Sequence, residues 1–198
     1  MRLRNSRLLP LLLCASGCTA PLLVWQPRTP DPHVRSRVEV VVDDVRPDRR
    51  GGRDHREIGR ELSAFGLPLS LRLVDELEPS RKIRVLVQGA LASRGIGAPI
   101  AESFAAVRVG VEISDLWCAP DEGAFAAQGA ISLHVLTMPR GEPGASERFT
   151  GRVDHQSNCA VAFRRLLDAM SNELASAFGR ADLRDRLLGN LSSEPTAR

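Results

Sequence analysis

The residues richest in chemistry are four cysteines, Cys14, Cys18, Cys118 and Cys159, and their surroundings divide them into two pairs. A thiol can accept an acyl chain, ligate a metal, attack a carbonyl or close a disulfide, and its neighbours decide which. Cys18 follows Ala15-Ser16-Gly17, three small side chains that leave its thiol accessible, whereas Cys14 sits behind the bulky Leu13. Upstream, Arg2, Arg4 and Arg7 form a basic start without an acid, and an apolar run follows from Leu8 to Ala15. That is the layout of an export signal: positive start, apolar middle, small residues before the cut. The run is far shorter than the roughly 20 residues of a bilayer-spanning helix, and no later segment is a better candidate.

Ala15-Ser16-Gly17-Cys18 resembles the bacterial lipobox, with Ala15 where that motif commonly carries Leu. The resemblance implies that Cys18 is acylated on sulfur and becomes the mature N-terminus. It also implies outer-membrane sorting, because Thr19 follows the cysteine where inner-membrane retention typically shows Asp. The competing reading is an ordinary secretory signal in which Cys18 is incidental. Two or three acyl chains, at about 0.8 kcal/mol per buried CH₂, give stable anchoring. Residues 18–35 include Pro21, Pro27, Pro30 and Pro32 and little periodicity, so they are expected to form an extended tether.

Cys118 and Cys159 belong to the exported domain, where an oxidising compartment makes a disulfide the expected state. They are 41 residues apart, a loop whose closure contributes roughly 4 kcal/mol in the chain-entropy model. Cys118 ends a strand-like segment and Cys159 opens a helical one, so a bridge would staple helix to sheet. Two separate buried thiols have the same sequence signature. Neither cysteine has partners at zinc-ligand spacing. No His-Glu-x-x-His, Gly-x-Ser-x-Gly, phosphate loop or dinucleotide fingerprint occurs, and His33, His55, His134 and His155 are scattered. No catalytic residue, metal or cofactor is therefore assigned, and the protein is expected not to be an enzyme. Asp43, Asp44 and Arg46 read as a strand end carrying solvated charges.

These cysteines need elements to position them. Residues 36–44 alternate Val38, Val40 and Val42 with Glu39 and Asp43, the pattern of a half-buried strand. Residues 57–62 and 68–75 suggest two short strands around Phe65-Gly66. Residues 80–95 fit either a helix or a strand, and helix is preferred, capped by Ser80 and ended by Gly95. Residues 102–118 and 124–138 alternate clearly and should form a hairpin across a turn at 119–123. Residues 139–146 look like a further turn and 147–154 a third strand. Residues 157–178 place Phe163, Leu166, Leu167, Met170, Leu174 and Phe178 at helical spacing, capped by Ser157 or Asn158 and ended by Gly179. The expectation is an α+β fold: an antiparallel sheet of about five to six strands with two main helices packed on one face. The organisation is signal peptide 1–17, lipidated cysteine and tether 18–35, one periplasmic domain 36–190 and a flexible tail 191–198.

Composition narrows the partners. Aromatics make up only 4% and Tyr is absent, which argues against stacking on single-stranded nucleic acid. The formal charge is +3, from 27 basic and 24 acidic residues. Arg2, Arg4 and Arg7 lie in the segment expected to be cleaved, so the basicity is an export signal and not a nucleic-acid footprint.

Taken in order, the lipobox at Cys18, the proline-rich tether, a strand ending in Asp44-Val45-Arg46-Pro47, Ile58-Gly59 and a helix near 87–95 resemble the YajG-like group of bacterial outer-membrane lipoproteins. The meander and C-terminal helix follow in the same order. The resemblance implies no reaction, substrate or cofactor, and carries over only Cys18, as lipid acceptor. Two roles are expected from it and from the missing catalytic motifs. One is a scaffold that touches an envelope protein or peptidoglycan while held at the membrane by its lipid. The other is a lipid- or ligand-handling auxiliary of an envelope transport system, with a cleft walled by Ala124, Ala126, Ala127 and Ala130. Radiolabelled palmitate should be incorporated by the wild-type chain and lost with Cys18→Ala; label that survives the substitution defeats the assignment.

Overall fold

A computed structural model describes residues 20–21, 38–47, 56–63, 65–73, 78–96, 107–137 and 142–189. The strands are β1 (Ala20–Pro21), β2 (Val38–Asp44), β3 (Glu57–Leu62), β4 (Pro68–Arg72), β5 (Val107–Asp121), β6 (Ala124–Thr137) and β7 (Glu142–Gln156). The helices are α1 (Pro79–Ala92), α2 (Cys159–Gly179) and α3 (Ala181–Gly189). All strands join one sheet in the order β1-β4-β3-β5-β6-β7, with β2 also paired to β5. The fold class is α+β, with helices packed against the sheet.

The meander β5-β6-β7 is antiparallel throughout. Its first turn is shorter than the spacing suggested. β5 continues through Asp121, and Glu122-Gly123 make a two-residue hairpin turn with φ of 46° and 83°. Both central residues at positive φ match the twist of the strands, and Gly123 takes its position without steric cost. β7 is also longer, because residues 142–146, read from sequence as a turn, pair with β6. Pro143 lies opposite Leu136 beside a register shift, a position that an edge strand tolerates.

The other side of β5 was not foreseen as it is. β2 runs parallel to β5, from Val38 opposite Val107 to Asp44 opposite Ile113. β3 then joins the same edge, also parallel, with Gly59 opposite Cys118. Two short strands thus share one long strand, which makes the sheet mixed. Parallel pairing requires a crossover, and α1 lies in the connection back to β5.

Between the two short strands β5 exposes a carbonyl that neither of them reaches. Arg46 fills this interval. Its guanidinium donates to the Leu116 carbonyl of β5 at 3.0 Å and to the Glu57 carbonyl that opens β3 at 3.2 Å. The same group grips both Asp44 carboxylate oxygens at 2.8 Å. The side chains are only 8% and 13% exposed. This corrects the expectation of solvated charges at the end of β2: the pair is enclosed because a planar five-donor fork replaces the missing strand.

Core packing follows the alternation. Val38, Val40 and Val42 of β2, and Val107, Val109, Val111 and Ile113 of β5, face inward with Leu133 and Val135 of β6. Residues 80–95 do form a helix, whose Ile83, Leu86, Val87, Ala90 and Leu91 are buried. Its cap lies two residues earlier than expected. Pro79, with no N–H to leave unsatisfied, takes the first turn, and Glu78 precedes it where Ser80 was expected. α2 buries Phe163, Leu166, Leu167, Met170, Leu174 and Phe178, and Asn158 caps it by accepting from the Val161 N–H at 2.9 Å. Arg94, just past α1, donates to the Ala175 carbonyl of α2 and braces the two helices. The tail 191–198 lies outside the described residues.

Removing the Arg46 side chain leaves a buried carboxylate and two strand carbonyls without their donor. Arg46→Ala is expected to cost about 3–5 kcal/mol, the range for breaking a buried ion pair. Adding Asp44→Ala should recover part of that loss. Urea unfolding of the single and double variants checks both signs.

Candidate functional site

Strict alternation along β5 would place Cys118 on the face opposite Val107 and Ile113. A bulge prevents this. Ile113 lies opposite Ile131 and Asp115 opposite Ala130, so Ser114 is the extra residue. After it the even-numbered positions turn inward, and Leu116 and Cys118 are buried. Cys118 thereby meets Cys159 at the start of α2, and the two form a disulfide with a Cα–Cα distance of 5.9 Å.

Three elements converge on this bridge. Gly59 of β3 passes so close to Cys118 that a Cβ on it would lie 2.4 Å from the Cys118 carbonyl oxygen. Two residues on, the Glu61 carboxylate accepts from the Cys159 N–H at 2.9 Å. A carboxylate at the first turn satisfies a donor that the helix cannot, and meets the positive end of its dipole. With Asn158 on Val161, the N-terminus of α2 is held by two side chains from different elements. Glu61 carried no signal in the sequence, since it looks like any outward charge on a strand.

Beyond Glu61 the chain leaves the protein surface. Leu62 is 57% exposed, Phe65 90% and Leu67 60%, at the tip joining β3 to β4. No ionisable residue occurs from Leu62 to Leu71, in a chain 26% charged. The turn is well made nonetheless. The Ser63 hydroxyl accepts from the N–H groups of Phe65 at 3.3 Å and Leu67 at 3.0 Å. The Ser63 N–H donates to the Leu67 carbonyl at 2.8 Å, and the Gly66 N–H to the Ser63 carbonyl at 2.9 Å. The sequence marked Phe65-Gly66 only as a turn, because exposure of an apolar side chain depends on what packs nearby.

The space between sheet and α2 is filled. Gly129 and Gly151, paired across β6 and β7, lie beneath Leu166 and Met170. A Cβ on Gly151 would sit 2.8 Å from a Leu166 methyl, so the two glycines set how closely the helix approaches. The alanines proposed as a cleft wall do not share one face. Ala127 belongs to the core, whereas Ala130 is covered but outside it, and Ala124 and Ala126 are half-buried on the alternate positions. A hollow of about 310 Å³ does occur on the outer side of α2, lined by Ala160, Val161, Arg164, Arg165 and Asp168.

The sheet face away from the helices is polar. Arg108 pairs with Glu39 at 2.8 Å, and Gln128 donates to Asp115 at 2.6 Å. Arg152 holds Asp154 at 2.7 Å and Asp121 at 2.8 Å. The hydrogen bond to Asp154, then the charge of that carboxylate, raise the Arg152 pKa above its ordinary value. Arg180 is raised likewise, first by its hydrogen bond to Glu147 and then by that group's charge. His134 lies 3.8 Å from Glu112 on this face, and His155 is exposed at the end of β7. Among the described residues no cluster of three or more His, Cys, Asp or Glu could hold a metal ion, and no helix is long and apolar enough to cross a membrane. Cys18 lies outside the described residues.

A mixed sheet with helices packed against it defines the fold, and a solved structure shares it. Protein XCC0632 from Xanthomonas campestris, of the family DUF330, matches over 89% of this chain and 99% of its own, with a TM-score of 0.53 and 12% identity. That likeness is one of fold. A PelC dodecamer from Paraburkholderia phytofirmans matches over 73% and 93% of the two chains, at 10% identity and a TM-score of 0.44. Lipoprotein GNA1162 from Neisseria meningitidis does so over 70% and 97%, at 12% identity and 0.41. No protein-family model matches the chain, and none of the curated proteins does.

The bridge closes a 41-residue loop. Cys118→Ala/Cys159→Ala should therefore lose about 4 kcal/mol of stability. Reductant should lower the urea midpoint of the wild type and leave the double variant unchanged.

Proposed function

We propose that the chain is a lipid-anchored envelope protein acting through its surface, a non-catalytic interaction module held at the outer membrane by Cys18 and facing the periplasm. The observation that carries this reading is where the apolar groups lie. The interior between sheet and α2 is occupied, while Leu62, Phe65 and Leu67 stand outside. A ligand-handling protein needs the reverse arrangement, an apolar cavity with a few polar groups inside it. An exposed apolar patch on a well-packed domain marks a contact surface. The Cys118–Cys159 bridge suits an oxidising compartment, in keeping with export. The order of lipobox, tether, Asp44-Val45-Arg46-Pro47 and Ile58-Gly59 supports placing the chain with the YajG-like lipoproteins.

In this reading the apolar tip is one contact surface, and the polar face of the sheet, with Arg108, Glu112, His134 and Arg152, is a second, open to an envelope protein or peptidoglycan. Cross-linking in intact envelopes followed by affinity purification tests it. A stoichiometric protein or a peptidoglycan fragment is the expected product. Lipid recovered without either would favour the transport-auxiliary role instead. Arg152→Gln, which neutralises an exposed cation and leaves Asp121 and Asp154 in water, should weaken the cross-link while the urea midpoint stays close to that of the wild type.

A further inference from the structure

The exposed tip lies at the end of the sheet toward which β1, traced backwards, leads. β1 pairs parallel to β4, with Ala20 opposite Leu71 and Pro21 opposite Arg72. β4 runs away from the tip, so tracing β1 backwards leads toward it. Cys18 precedes Ala20 by two residues, and a chain of two residues spans at most about 7 Å. The lipid acceptor is thereby tied close to the edge of the hairpin whose tip carries Phe65 and Leu67.

We propose that the β3–β4 tip enters the bilayer that holds the acyl chains of Cys18, giving the domain a second, non-covalent foothold. This rests on the reading of Cys18 as the lipidated residue. Three features of the tip suit a lipid boundary in particular. Its three large side chains, Leu62, Phe65 and Leu67, are apolar and exposed, and no charge occurs from Leu62 to Leu71. The backbone donors of Ser63, Phe65, Gly66 and Leu67 are all satisfied within the turn, and Pro68 has none. Unsatisfied backbone groups are what keep ordinary loops out of hydrocarbon, and these four N–H groups add nothing to that penalty. Finally, the covalent anchor keeps the tip at the membrane surface, so that shallow insertion costs little further ordering.

The neighbouring hairpin turn carries Asp121 and Glu122 at the same end of β5. Asp121 is balanced by Arg152 at 2.8 Å, so anionic lipid adds little attraction, and the contact is chiefly apolar and weakly sensitive to salt. Insertion is shallow, about 5–10 Å, as for other interfacial elements.

Tryptophan fluorescence tests this on the full chain. Trp25→Phe and Trp117→Phe remove both native indoles, and Phe65→Trp then places a single one at the tip. The comparison is Asp182→Trp on α3, reached by way of the 21-residue helix α2, which spans about 30 Å. Each protein is reconstituted into phosphatidylethanolamine–phosphatidylglycerol vesicles with or without bromine on the acyl chains. The mass of the N-terminal peptide reports whether Cys18 is acylated. At a depth of about 5–10 Å the tip indole should lose about half its emission to bromine and shift to the blue, at low and high salt alike, while Asp182→Trp is unaffected. An acylated protein whose tip indole is unquenched and emits as in water overturns the proposal. A blue shift without quenching, accompanied by a doubled mass in light scattering, overturns it in favour of a second copy at the tip. A chain without acyl groups defeats the reading of Cys18 alone. The same vesicles then decide the tip by themselves: quenching upholds its insertion, and absence of quenching refutes it.

Discussion

A single guanidinium completes the sheet. β5 pairs with β6 along one edge, but its other edge is shared by two strands too short to cover it. The interval leaves a carbonyl that must be satisfied, because a buried acceptor without a donor costs about 1–3 kcal/mol. Arg46 supplies the donor and simultaneously ties β2, β3 and β5 together. Burying a charge for this purpose is tolerable only because Asp44 neutralises it in a two-oxygen grip. The interaction binds a structure whose edge would otherwise end at Asp44.

From that junction the remaining architecture follows along β5. One bulge at Ser114 reverses which residues face the helices, and Cys118 comes under the start of α2. Gly59 gives β3 room to lie against Cys118, and Glu61 then reaches the first N–H of the helix. The disulfide thus fastens a meeting of strand and helix that is already organised by hydrogen bonds. Paired glycines at 129 and 151 bring the same helix down onto the meander.

Much of this was legible in the residues. The alternation of Val38, Val40 and Val42, the hairpin of β5 and β6, and the stripe from Phe163 to Phe178 each repeat a period that one buried face imposes. What escaped the sequence depended on distant partners. Arg46 and Asp44 look like solvated charges until β3 is seen to close over them. Ser114 is an ordinary strand residue, and nothing local announces that it is surplus to the ladder. Pro143 argues for a turn, yet the outermost strand has no neighbour on one side to miss its N–H. The candidate site was divided in the same way. Cys118 and Cys159 were visible as chemistry, whereas Glu61 and the exposure of Phe65 exist only in three dimensions.

The junction at Arg46 also has an evolutionary side. The chain leaves the edge of β5 at Arg46 and returns at Glu57, and the guanidinium touches both departure and return. The span to be bridged is therefore set by the reach of one arginine side chain, however many residues intervene. Closing such a loop becomes costlier only logarithmically with length, by about 0.6 kcal/mol per doubling. A change of length there would be felt mainly as loop entropy, while the guanidinium goes on joining the strands on either side.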